Sequence, residues 1–148
     1  MSSPLLALTM IVKDEAETIS ETIESVRDVV DHCTILDTGS TDQTKRILSG
    51  FRHVQVYEEP FTDFATTRNR VLDIEAARSD AATYVLMLSG NEILHRIGTL
   101  RDFLCRHAAQ AYSLKVHYGD VLFYYPHILR TDGLWRYEGV AHEVPINQ

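Results

Sequence analysis

Four short strand-like runs, at residues 5–12, 33–36, 54–57 and 84–88, the first and last almost wholly apolar, are separated by stretches whose apolar residues recur at helical spacing. No other feature constrains the fold as tightly. A strand buried on both faces reads as an unbroken apolar run. Strands alternating with helices build a largely parallel sheet. The expected class is α/β: a Rossmann-like, mostly parallel central sheet flanked by helices.

The helices carry their own signals. Ile19, Ile23, Val26 and Val30 mark one amphipathic face. Asp14 with Glu17, or Thr18 with Glu21, fits a capping box at its start. Ser40 with Gln43 fits another, opening a helix through Leu48. Thr62 or Asp63 caps a third, with Phe64, Ala65, Val71 and Leu72 on its buried side. A helix over residues 100–107 and strands over 111–118 and 121–129 follow. The tail at 135–143 mixes aromatic and charged residues.

The 148 residues fit one domain spanning residues 1–148. Lys plus Arg number 14 against 21 Asp plus Glu, a net charge of −7, which argues against a nucleic-acid partner. No apolar run reaches the roughly 18 residues of a transmembrane segment. Residues 1–4 lack a basic n-region, so the expected compartment is cytoplasmic. Cys33 and Cys105 lie in apolar stretches and read as free, buried thiols.

Ligands of such sheets bind off the carboxyl ends of the strands. The segments there are Lys13-Asp14-Glu15, Asp37-Thr38-Gly39-Ser40 and Ser89-Gly90-Asn91-Glu92. Asp37 could contact a ligand, or the segment could be a plain strand-to-helix turn with Gly39 permitting it. Asn91 and Glu92 could hold a hard cation through oxygen, or simply form a loop. Residues 138–143 gather Glu138, His142 and Glu143: a candidate metal ligand and two candidate general bases, or a solvated tail. Arg68 or Arg70 could pair with phosphate, or both could lie on an exposed helix face. Trp135 could stack on a ring or belong to the core. The other histidines show no metal-ligand spacing and read as surface or packing residues.

These segments together resemble family 2 glycosyltransferases of the GT-A fold. The resemblance rests on Lys13-Asp14-Glu15-Ala16, Asp37-Thr38-Gly39-Ser40-Thr41-Asp42, Phe64-Ala65-Thr66-Thr67-Arg68-Asn69, and Trp135 with Gly139-Val140-Ala141-His142-Glu143. It implies a nucleotide-sugar donor, usually uridine-linked (UDP), an acceptor not identified by the sequence, and inversion at the anomeric carbon. Lys13, Asp14, Glu15 and Asp37 would hold the nucleoside, with Arg68 and Asn69 also on the nucleotide. Asn91, Glu92 and His142 would surround a divalent metal, Mn²⁺ or Mg²⁺. Glu143 or Glu138 would deprotonate the acceptor.

One departure changes the expectation. The family's metal loop reads D-x-D-E, and here it reads Ser89-Gly90-Asn91-Glu92. Serine and a neutral amide hold hard cations less well than carboxylates, so metal binding should be weakened or absent. A nucleotide-binding module without catalysis is the alternative. An unrelated dinucleotide-binding domain lacks its G-x-G-x-x-G after the first strand.

Overall fold

A computed structural model describes residues 3–95, 98–139 and 144–148. Its elements run β1 (Leu6–Val12), α1 (Ile19–Val26), β2 (His32–Asp37), α2 (Thr44–Ser49), β3 (Val54–Glu58), α3 (Phe64–Ala76), β4 (Tyr84–Met87), α4 (Leu100–Arg106), β5 (Ala111–Tyr118), β6 (Val121–Arg130), β7 (Trp135–Glu138) and β8 (Val144–Asn147). Six strands form one sheet in the order β3-β2-β1-β4-β6-β5, and β7 pairs with β8 in a separate hairpin. The first four strands are parallel. β6 runs antiparallel to β4 and to β5, with a register shift at Tyr112/Ser113.

Alternation along β1 and β2 splits the core into two layers. Leu6, Leu8, Met10, Cys33 and Ile35 meet Ile19, Ile23 and Val26 of α1, Leu48 of α2, and Leu100 and Leu104 of α4. On the other face, Leu36, Val85, Met87 and Leu129 meet Val71, Leu72 and Ile74 of α3 and Tyr137 of β7. Each fully buried Leu or Ile contributes roughly 1.5–3 kcal/mol.

Several local expectations change. Phe64 opens α3 at its first position and is 49% exposed, packing edge-on to Phe61 rather than into the core. Cys33 is buried but Cys105 is exposed, because Leu100 and Leu104 supply the buried face of α4. The aromatic and charged tail forms the β7–β8 hairpin. Neither capping box forms at α1: the Glu15 carbonyl accepts the Thr18 and Ile19 N–H groups instead. At α2, Asp42 Oδ1 accepts the Thr44 N–H at 2.9 Å, while Ser40 Oγ accepts the N–H of Asp14 at 2.9 Å. Asp63 does cap α3, accepting Thr66 N–H at 2.7 Å. Among the described residues, no helix is long and apolar enough to cross a membrane.

Candidate functional site

The strand order turns between β1 and β4, and polar segments gather at the carboxyl ends there. The β1–α1 and β2–α2 loops are knitted together. Asp14 adopts φ 53°, a left-handed conformation that Asp tolerates better than most residues. Its Oδ1 accepts the N–H of Thr41 at 2.7 Å and that of Asp42 at 3.3 Å. Glu15 N–H donates to Thr44 Oγ1 at 2.8 Å. Lys13 stands exposed beside them.

Asp37 ends β2 and is 1% exposed. Its Oδ1 accepts N–H groups from Gly39 at 2.9 Å and Ser40 at 2.8 Å, holding the turn that Gly39 permits at φ 117°. Its Oδ2 is buried and has no hydrogen-bond partner. A buried carboxylate oxygen in that state is costly, and such exceptions call for an explanation.

Beyond β4 a cleft of about 920 Å³ opens, walled by the β5–β6 hairpin. That volume suits a ligand of small-molecule size. Gly90 lets the loop pass close to α1: a Cβ there would lie 2.8 Å from Glu15 Cγ. The Gly90 carbonyl accepts the hydroxyls of Thr18 at 2.7 Å and Thr22 at 3.1 Å.

Glu92 faces this cleft with both oxygens engaged. Oε1 accepts Ser89 N–H at 2.7 Å, and Oε2 lies 3.4 Å from His127 Nε2. Burial pushes its carboxyl up, but hydrogen bonds from His127 and from Ser89 N–H outweigh that and hold it below its ordinary value. His127 Nδ1 lies 3.2 Å from the Tyr125 carbonyl oxygen. Both ring nitrogens therefore face acceptors. His127 is thus more than a packing residue, and His95 and His117 also line the cleft.

Arg68 projects from α3 into the same cleft, its guanidinium carbon 5.6 Å from the Phe64 ring centre and 5.7 Å from that of Tyr137. Asn69 uses its amide on the backbone of β7, donating to the Tyr137 carbonyl at 3.1 Å and accepting Tyr137 N–H at 2.6 Å. The Tyr137 hydroxyl is buried and has no hydrogen-bond partner. Burial pushes the Tyr125 and Tyr137 phenols up, and the charges of Arg68 and Glu92 act on both in opposite directions. These four side chains share one electrostatic neighbourhood.

The remaining expected residues are less central. Asn91 is exposed at the cleft edge. Glu138 is exposed and accepts from Gln148 Nε2 at 3.2 Å. Strand alternation puts Glu138 on the opposite face of β7 from Tyr137, which lines the cleft. His142 and Glu143 lie outside the described residues.

The residues described do not fit a divalent cation. Ser89 and Asn91 bring neutral oxygens, each oxygen of the Glu92 carboxylate already holds one contact, and no group of three His, Cys, Asp or Glu side chains converges among the described residues. Sequence reasoning missed His127, Tyr125 and Tyr137. Alternation along β6 was the available signal, since it sets Phe123, Tyr125 and His127 on one face.

A TPR repeat-containing protein of Synechococcus elongatus is 35% identical over 111 residues, covering 74% of this chain and 26% of that protein. The SPbeta prophage-derived glycosyltransferase SunS of Bacillus subtilis is 23% identical over 155 residues, covering 98% of this chain and 36% of its own length. This chain therefore spans only about a quarter to a third of these curated relatives. The crystal structure of S. aureus TarS in complex with UDP shares the fold, with a TM-score of 0.61 at 18% identity over 86% of this chain and 47% of that one. So does a 4-diphosphocytidyl-2C-methyl-D-erythritol synthase, with a TM-score of 0.65 at 13% identity over 88% of this chain and 76% of that one. The model of glycosyl transferase family 2 matches residues 8–140. The chain belongs to glycosyl transferase family 2 and has its GT-A fold.

Proposed function

We propose that this domain binds a uridine-linked nucleotide sugar and transfers the sugar, with inversion, to an acceptor hydroxyl. The observation that carries the reading is the cleft beside the point where the strand order turns, the place where open α/β sheets take ligands. Asp37 ends β2, one strand beyond β1, and does not line the cleft; its unpartnered Oδ2 supports a nucleoside end there, because a base N–H would supply the missing donor. That atom is shut off from solvent, so binding entails a local opening. UDP in the TarS complex favours uridine among the bases. Lys13, Asp14 and Glu15 would frame the nucleoside through the loops they knit together. Asn69 would act indirectly, by fixing β7.

In the transfer step, a carboxylate takes the acceptor's proton while the acceptor oxygen attacks the anomeric carbon. The bond from that carbon to the diphosphate oxygen breaks, and the diphosphate leaves with the electron pair. We assign the base to Glu143, because Glu138 faces Gln148 and lies away from the cleft. The engaged Glu92 favours a second reading, in which the domain binds nucleotide without transferring sugar.

UDP release from a panel of UDP-sugars separates the two. Transfer predicts turnover that falls by about 10²–10⁴-fold in Glu143→Gln. Turnover untouched by that change removes Glu143 from the mechanism. UDP binding without release from any donor supports the second reading.

A further inference from the structure

Four side chains meet on the cleft side of β4, β6, β7 and α3: Arg68, Glu92, Tyr125 and Tyr137. Two facts about them are independent. The carboxylate is already committed, Oε1 to Ser89 N–H at 2.7 Å and Oε2 to His127 at 3.4 Å. A cation there would compete with the contacts that tie the β4 loop to β6. Tyr137, by contrast, lines the cleft, and its hydroxyl is buried behind that wall with nothing to donate to, so a ligand reaches it only through a local opening. Its backbone is pinned on both sides by Asn69, so the ring cannot easily withdraw. A donor fixed in place without an acceptor costs stability unless a ligand supplies one. Beside it stands the Arg68 guanidinium, held over the rings of Phe64 and Tyr137. A guanidinium and a phenol hydroxyl are both donors, and together they suit an oxyanion.

We infer that Tyr137 and Arg68 form an anion subsite that takes the diphosphate of the ligand without a divalent cation, while Glu92 serves as a brace to His127. The inference deepens the nucleotide reading above and rests on it for the identity of the ligand. The anion chemistry can be tested separately, with pyrophosphate.

The experiment is calorimetric titration of the full chain with pyrophosphate and with UDP, each in EDTA and in Mn²⁺. Both ligands should bind in EDTA, with Mn²⁺ changing either affinity by less than about threefold. Tyr137→Phe should weaken both by about tenfold, the worth of one hydrogen bond to a charged group. Its unfolding midpoint should hold or rise, because an unsatisfied buried hydroxyl has been removed. A merely structural Tyr137 would lower the midpoint and leave affinity alone, and that result overturns the proposal. So does binding that appears only with Mn²⁺, or no pyrophosphate binding in either condition. Pyrophosphate binding without UDP binding keeps the anion subsite and sinks the nucleotide reading instead.

Discussion

The two ends of β2 treat a buried acid in opposite ways. Near the amino end, Glu75 of α3 reaches under the strand and is 0% exposed. Its carboxylate meets His32 Nε2 at 2.8 and 3.0 Å, accepts Thr34 Oγ1 at 2.8 Å and accepts Ala82 N–H at 3.1 Å. At the carboxyl end, Asp37 spends one oxygen on its turn and leaves the other buried with no donor. A buried charge is tolerated when its neighbours satisfy it. Glu75 meets that condition and belongs to the scaffold. Asp37 meets it only by half, at the end of the sheet where ligands bind.

The strongest way to break this contrast is Glu75→Ala. It strands His32, Thr34 and the Ala82 N–H, and should cost about 3–5 kcal/mol. Urea unfolding reads the loss, and a cost below about 1 kcal/mol would remove Glu75 from the scaffold. A smaller effect is expected at the other end from Gly90→Ala. The new Cβ would lie 2.8 Å from Glu15 Cγ, well inside contact distance. Crowding of that kind costs about 1–3 kcal/mol, readable in the thermal midpoint. An unchanged midpoint would show that the Glu15 side chain yields freely.

Cys33 gives the mildest readout and sharpens the scaffold side. Burial, and then the Glu75 charge, push its thiol up from 9.0 to about 12. A raised folded value means the folded state holds the proton more tightly. Its stabilising effect is full below pH 9.0 and is lost as pH rises towards about 12. Thiol-reactive dye should label exposed Cys105 readily and leave Cys33 untouched until the chain unfolds. Equal labelling of both in the native state would contradict the burial of Cys33.

The sequence shows how far local signals reach. The strands were legible because β1 and β4 are almost entirely apolar, which the run of residues reports directly, and β2 is buried on both faces around Cys33, Ile35 and Leu36. The caps were not. Ser40 answers Asp14, and the Asp14 carboxylate answers Thr41, across loops distant in the chain. A capping box sees only its own four residues. The β7–β8 hairpin hid for a related reason: its strands are short and mix aromatic with charged residues. His127 looked like packing because spacing among histidines was the criterion, while its partner is Glu92, on the loop after β4. Glu75 was readable in principle, since it falls on the buried stripe of Val71 and Leu72 along α3. The motif segments placed Asp37 at the carboxyl end of its strand and Arg68 on the third helix, but motif order carries no information about which oxygen is left without a donor.

The most direct test is titration of the wild-type chain and Asp37→Asn with UDP. Asparagine keeps a carbonyl oxygen for Gly39 and Ser40 and puts an NH₂ where Oδ2 stood. UDP affinity should fall by about ten- to a hundredfold, a charge-assisted hydrogen bond's worth, with little change in the unfolding midpoint. Undiminished UDP affinity in Asp37→Asn would contradict the assignment of that buried oxygen to the nucleoside.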